Sequence, residues 1–374
     1  MTAIALPLEI KPKSKSQWTV VWEQFQKQPQ AIFALLLLAA LYLGAVFAPF
    51  LAPYDSQQAF TLEGVRYQAP TPVRFFENGS LQMPFVYATE RRTDPNTFET
   101  KFIENTTQKY PLEFFVQRGE PYWLFGLFKT QLRLVGVAAP ARLFFLGSDG
   151  TGRDIFSRIL YGSQISLTIG FVAVGISFLI GAVLGGLAGY YGGLLDSLVM
   201  RFAEIIQAIP PFFLLIALSA LIPSLLPPSQ YFYGVIVMLG LSTWMDLAKS
   251  IRGQVLSLRE QEFITSARAL GVAEGRIIMR HILPNTASYL VVLGSITIPG
   301  AILSESGLSF IGRGVREPSV SWGSLLADIT QNGVSGLNLH PWALMPGWYI
   351  LVTIIAWNVL GDGLRAAFDP KKRR

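Results

Sequence analysis

Residues 31–51 read AIFALLLLAALYLGAVFAPFL, a run without one charged side chain. A helix that crosses a hydrocarbon core of roughly 30 Å needs about 20 such residues. The stretch is therefore long enough to span a bilayer, and too long for the apolar core of a cleaved leader. No small-x-small cleavage pattern follows it, so it reads as a retained anchor. Ile159 to Leu195 lies uncharged between Arg158 and Asp196. The run between Glu204 and Asp246 is also uncharged but too long for one crossing; Pro223, Pro227, Pro228, Ser229 and Gln230 divide it into two helices joined by a short turn, because consecutive prolines block helix continuation. Ile282 to Ser304 supplies a fifth span, and Pro346 to Leu360 a sixth that ends near Gly361, Asp362 and Gly363. The sequence predicts an all-α polytopic membrane protein with six transmembrane helices.

Composition agrees. Of 374 residues, 51% are hydrophobic and 14% charged, against about 25% charged in soluble domains, and mean hydropathy is +0.41. Six spans place both termini on one face. That face collects Lys11, Lys13, Lys15, Lys27, Arg201, Lys249, Arg252, Arg259, Arg268, Arg276, Arg280, Arg365 and the KKRR tail at 371–374, whereas the opposing short loops carry only Arg313 and Arg316. By the positive-inside rule the termini and the loop from Lys249 to His281 are expected in the cytoplasm. The absence of cysteine excludes disulfides, thiolate metal sites and cysteine nucleophiles.

The chain divides accordingly. Residues 1–30 form a basic cytoplasmic segment whose Trp18, Trp22 and Phe25 suit a membrane surface, and 31–52 the first anchor. Residues 53–146 turn polar, aromatic and proline-rich, and are expected to be an extracytoplasmic insertion. Alternation at Val73 and Phe75, then Phe85 and Tyr87, around Asn78-Gly79 predicts short β-strands and a hairpin there. Residues 147–370 are a membrane core with five further helices, and 371–374 a basic cytoplasmic tail. Gly181, Gly185, Gly189 and Gly193 recur every four residues, which lets a neighbouring helix approach one face of the second span.

Enzymatic signatures are missing. There is no Gly-Lys pair for a phosphate loop, no H-E-x-x-H and no G-x-S-x-G. His281 and His340 are expected on opposite sides of the membrane, where they cannot share a metal, and GDGLRA at 361–366 closes a helix instead of following a strand. Acids of the insertion (Glu63, Glu77, Glu90, Asp94, Glu99) are scattered. A secondary transporter would carry coupling acids well inside its spans or broken-helix repeats, and neither is evident. Polar residues in or near spans, Gln207, Ser219, Ser242, Thr243 and Asn358, are the candidates to line a pathway.

One connector stands apart. Residues 249–285 read KSIRGQVLSLREQEFITSARALGVAEGRIIMRHILPN. Glu262 to Leu270 fits a short helix, Gly271 sits where a left-handed C′ residue would end it, and Ala273 to Leu283 resumes helical composition until Pro284. Two helices about a glycine break make a knob outside the bilayer, with Ser266, Ala267 and Ala269 small enough to let it enter a partner's groove.

This segment resembles the EAA loop of ABC importer permeases, E-A-A, three residues, G, nine residues, I-x-L-P. Thr265, Ser266, Ala267, Gly271, His281, Leu283 and Pro284 take those positions with the spacing intact. LGSDGTGRDIFSRILYGSQISL (146–167), DSLVMRFAEIIQAIP (196–210) and ESGLSFIGRGVREPSVSWGSLL (305–326) are similar to further segments of the dipeptide/oligopeptide/nickel branch, C-type subunit. The resemblance implies a type I ABC importer permease in a bacterial plasma (inner) membrane. It also implies a B-type permease partner, two ABC ATPase subunits, an extracytoplasmic solute-binding protein and a peptide substrate, with membrane lipid around the spans and no nucleic acid. ATP and Mg would be held by the partner ATPase, and no cofactor or metal by this chain. The coupling loop would be 250–285, with Glu262, Thr265, Ser266, Ala267, Arg268, Gly271, His281, Leu283 and Pro284 meeting the ATPase.

Overall fold

The computed structural model describes residues 17–61, 64–77, 79–93, 95, 100–124, 127–330 and 340–368. The lysines at 11, 13 and 15 and the tail at 371–374 lie outside these. From the N-terminus, α1 (Gln17–Phe25), α2 (Pro29–Val46) and α3 (Ala48–Leu51) precede β1 (Arg74–Glu77), β2 (Ser80–Thr93), β3 (Thr100–Leu124) and β4 (Phe128–Val137). Next come α4 (Ile155–Tyr191), α5 (Gly193–Gln207), α6 (Pro211–Ser219), α7 (Ile222–Leu225) and α8 (Tyr231–Arg259). The remainder is α9 (Glu262–Ala269), α10 (Glu274–Ile277), a π-helical turn (Ile278–Ile282), α11 (Leu283–Phe310), α12 (Trp322–Thr330) and α13 (Met345–Phe368).

Among the described residues, five helices are long and apolar enough to cross a membrane, at 29–46, 155–191, 228–259, 288–310 and 341–368; α5 with α6 adds a sixth only if this pair, bent by 85°, is one span. The bend falls inside the uncharged run that sequence reading divided only at 223–230. Its cause is Pro211, which disfavours helical backbone at the residue before it; Pro210 is accordingly extended, at φ −55° and ψ 131°.

Two boundaries also differ from expectation. Pro284 does not close a helix but lies in the first turn of α11, directly after the π-helical turn. The last helix does not stop at Gly361-Asp362-Gly363 but runs on to Phe368. Those glycines serve close packing instead. A Cβ at Gly361 would lie 3.0 Å from Ser295 Oγ, and one at Gly363 would overlap Ala31.

The longest helix, α4, organises the bundle. Asp154 caps its start, accepting from Ser157 N at 2.8 Å, and Gly192 at φ +66° ends it. Its glycine stripe lies against α8. A Cβ at Gly181 would sit 2.8 Å from Leu247 Cβ, one at Gly185 would collide with the Ala248 carbonyl, and one at Gly189 would lie 2.8 Å from the Arg252 carbonyl. Gly193, the fourth of the series, is beyond the helix end and faces open space.

The strands form one antiparallel sheet in the order β1-β2-β3-β4. Registers such as Val86↔Tyr110 and Phe114↔Val135 turn Val86, Leu112, Val135 and Val137 to a small core shared with Ala141 and Leu143. Both ends of the segment that carries the sheet are fastened at one place. Thr71 N donates to Phe144 O at 2.8 Å, Leu143 N to Tyr54 Oη at 2.9 Å, and Tyr54 N to Ser157 Oγ at 3.2 Å. Arg133, fully buried, reaches from β4 to the Ala52 carbonyl at 2.9 Å.

The α4–α8 contact has a direct test. Gly185→Leu is expected to lower the thermal midpoint of the solubilised chain, at a cost of about 1–3 kcal/mol or more for overpacking. Gly186→Ala, one position away with nothing within 4 Å, should leave it unchanged or slightly raised, since alanine is favoured over glycine in a helix by about 0.5–1 kcal/mol.

Candidate functional site

The loop between α8 and α11 is folded throughout. Ile264 and Ala267, the inner face of α9, are buried in a cluster with Tyr190, Ile251, Val255, Ile277, Ile278 and Ile282. This seats α9 on the ends of α4 and α8 and the start of α11. Arg259 Nη1 donates to the carbonyls of Gly189 (3.1 Å) and Tyr190 (3.3 Å), satisfying groups that the end of α4 leaves open. The guanidinium of Arg268 lies 5.7 Å from the Tyr190 ring centroid, a cation–π contact between α9 and α4.

The opposite face of α9 is open. Glu262, Thr265, Ser266, Arg268 and Gly271 are exposed, as are the apolar side chains Phe263 (45%), Leu270 (83%) and Met279 (68%). Thr265, in the position of the family acid, turns its hydroxyl back to the carbonyls of Gln261 (3.2 Å) and Glu262 (3.0 Å). Gly271 has φ +77°. Its N–H donates to Arg268 O at 3.0 Å while Val272 N donates to Ala267 O at 3.1 Å, the paired bonds of a Schellman C-cap. The π-helical turn then leads into α11. The side chains of His281, Leu283 and Pro284 lie outside the described residues.

The pathway candidates are mostly engaged in local bonds. Gln207 is clamped to α8, donating to Asp246 Oδ1 at 2.7 Å and accepting from Lys249 Nζ. Next to it, Arg252 pairs with Asp196 through two bonds, one of them at 2.6 Å. Ser219, Ser242 and Thr243 each donate to their own helix backbone, at 2.7, 2.6 and 3.0 Å. Asn358 is exposed on α13.

Sequence reading missed a charged junction. The segments 146–167 and 305–326, read only as similar strings, meet around Arg153 and Arg158. Arg153 Nε donates to Asp149 Oδ2 at 2.9 Å, and Arg158 bonds to Asp328 Oδ2 at 3.1 Å and to Glu317 Oε1 at 3.2 Å. These groups, except Glu317, line a cavity of about 320 Å³ together with Tyr67. Burial alone would raise the Asp149 pKa, but the Arg158 and Arg153 guanidinium groups outweigh it and hold the carboxyl below the usual carboxylate range. Asp154 behaves oppositely; its burial, only partly offset by the bonds from Ser157, pushes it up to about 7. The visible signal was the charge in GRD and SR and in VREP, but the partners stand some 160 residues apart.

A second missed group is Glu305 of α11, fully buried. It accepts from Ser309 Oγ at 2.6 Å and from Ser166 Oγ of α4 at 3.3 Å. Ser166 Oγ also accepts from Trp322 N at 3.0 Å, and Ser309 Oγ from Val315 N at 2.9 Å. One carboxylate thus joins α4, α11 and the start of α12. Among the described residues no group of three or more His, Asp or Glu is placed to hold a metal ion.

Residues 178–374, more than half of the chain, match the family described as binding-protein-dependent transport system inner membrane component. The chain belongs to that family. It is a permease of the binding-protein-dependent class, an integral inner-membrane protein with several apolar helices. Residues 16–70 match the N-terminal TM domain of oligopeptide transport permease C. Among relatives of this permease, the oligopeptide transport system permease protein OppC of Haemophilus influenzae is 40% identical over 230 residues, covering 61% of this chain and 71% of the relative. The dipeptide transport system permease protein DppC of Bacillus subtilis is 40% identical over 236 residues, covering 63% and 71%. A solved structure of the MetNI methionine ABC transporter, inward facing, aligns with a TM-score of 0.41 and 19% identity over 56% of this chain and 96% of that one.

Two predictions follow from this geometry. Nothing lies within 4 Å of a Cβ at Gly271, so backbone conformation alone restricts the site; Gly271→Val should loosen the loop by about 1–2 kcal/mol while Gly271→Asn, which tolerates the left-handed region, should cost less. Hydrogen exchange over 262–277 reads the difference. For Asp154, a folded pKa near 7 against the ordinary 3.8 means that its contribution is fully present below about pH 4 and is lost as pH rises toward 7. The Asp154→Asn variant, which keeps a capping side chain, should show a smaller fall in thermal midpoint between pH 5 and pH 8 than the native chain.

Proposed function

We propose that this chain is the C-type permease of an ATP-driven ABC importer for peptides, forming half of the translocation pathway with a B-type permease. The observation that carries the reading is the loop at 250–285. Its inner face is anchored by Ile264, Ala267 and Arg259 to the ends of the spans, while Glu262, Phe263, Ser266 and Leu270 stand exposed. A helix fixed on one side and open on the other transmits a push. An ATPase cleft that closes on α9 would move α4, α8 and α11 together, because all three contribute to the cluster under it or continue from it.

In this reading the chain makes six crossings, counting α5 and α6 as one bent span, with both termini and the coupling loop in the cytoplasm. The sheet at 74–137 lies on the extracytoplasmic side, where a solute-binding protein delivers substrate. Two ATPase subunits hold ATP and Mg, and this chain hydrolyses nothing. The peptide class is supported by the OppC and DppC relatives. Gln207, Ser219, Ser242, Thr243 and Asn358 remain the proposed pathway residues, and His281, Leu283 and Pro284 belong with the coupling segment.

The test is purification of the tagged chain from its native membrane in mild detergent, beside a version with 262–271 replaced by a Gly/Ser linker. An ABC ATPase and a second permease should accompany the native chain, and the ATPase should be lost from the replaced one. Equal recovery of ATPase with both would remove the coupling assignment. In vesicles, Gly271→Val is expected to abolish ATP-dependent peptide uptake.

A further inference from the structure

A groove runs along the outside of the bundle between α2 and α13. Its walls are Phe33, Ala34 and Leu37 on one side and Val352, Ile355 and Ala356 on the other, enclosing about 720 Å³. Ala34 and Ala356 are almost fully buried, and these small side chains form its floor. Both helices are long and apolar enough to cross a membrane, so the groove opens toward acyl chains. At 1.5 Å per residue the wall from Pro29 to Leu37 is about 12 Å long, close to the depth of one leaflet of a core roughly 30 Å thick.

At one end the groove changes character. Pro29, Gln30 and Val359 also line a second cavity, of about 400 Å³, whose other walls include Lys27, Gln28 and Asp362. The Lys27 and Asp362 side chains are exposed and make no ion pair among the described residues. Beside them, α1 packs across the end of α13 through Val21 and Phe25, with Trp18 edge-on to Phe368 at 5.9 Å. Trp18 and Trp22 remain more than half exposed. Tryptophans so placed mark the headgroup level of a bilayer.

We propose that this groove and its polar end form a site for one phospholipid of the phosphatidylethanolamine class. An acyl chain fills the α2–α13 groove, the phosphate meets the Lys27 ammonium, and the primary ammonium meets the Asp362 carboxylate. Charge selects the headgroup. A cation and an anion share one cavity, which matches a headgroup carrying both signs. Phosphatidylglycerol brings a phosphate but no cation for Asp362, and phosphatidylcholine brings a cation without N–H donors. The inference needs only the membrane-embedded chain and does not depend on the transport reading.

The full tagged chain, with whatever subunits accompany it, is exchanged into nanodiscs of equimolar phosphatidylethanolamine and phosphatidylglycerol. It is then stripped with detergent and weighed by native mass spectrometry. Phosphatidylethanolamine should be retained by the native chain, and retained at least about tenfold less by Lys27→Gln/Asp362→Asn, which removes the charge from both contacts. Both positions are exposed, so the variant folds; unchanged thermal unfolding verifies this. A photoreactive residue in place of Phe33 should crosslink to phospholipid. Equal retention of phosphatidylglycerol, equal retention by the double variant, or a crosslink from position 33 to another polypeptide would overturn the proposal, the last marking the groove as a subunit interface.

Discussion

The close approach of α4 to α8 is the constraint on which the rest of this structure depends. Apolar surfaces gain little by meeting each other in lipid, so helices there associate through van der Waals packing and hydrogen bonds. Gly181, Gly185 and Gly189 remove the side chains that would hold α8 away. The consequence reaches beyond the bilayer. With the backbones in contact, Arg252 reaches Asp196 at the start of α5 and Arg259 reaches the last carbonyls of α4. The loop that follows α8 therefore starts from a fixed point.

Polar groups hold the other end of α4. Arg153 and Arg158 gather Asp149, Glu317 and Asp328, and about two turns beyond Arg158 Ser166 meets Glu305. A polar group buried inside the bundle is costly unless its hydrogen bonds are met. Glu305 meets its own with serine hydroxyls, and these hydroxyls in turn accept from Trp322 N and Val315 N. The same side chain that requires solvation thus fixes the chain leaving α11.

Much of this was legible in the sequence. Charge-free windows located five helices long and apolar enough to cross a membrane, because the bilayer imposes a length that composition reports directly. The four-residue glycine period gave the contact face of α4, and Gly271 its left-handed turn, since both follow from local geometry. Two kinds of feature were missed. The 85° bend between α5 and α6 falls at Pro210-Pro211, a proline pair of the same kind as Pro227-Pro228, which a reading by charge-free length passes over. The charged junction and the Glu305 network depend on which distant segments meet, and no periodicity in either segment encodes that. Of the loop, the sequence located the helix and its glycine break; it did not reveal the buried partners of Ile264 and Ala267, or the backbone bonds that occupy Thr265.

The sheet is attached through a narrow neck. Its incoming and outgoing strands of chain are pinned beside one another by the Thr71–Phe144 and Tyr54–Leu143 bonds, directly over the start of α4. The entropic cost of closing the loop is met by the neck and grows only slowly with length. Beyond the neck, the interval between residues 72 and 140 meets the bundle through Arg133 on the Ala52 carbonyl and Phe115 beside Phe50, and with those contacts replaced it is a grafting position. A shorter connection, or a different folded module whose ends lie equally close, fits the same neck without altering the register of any helix.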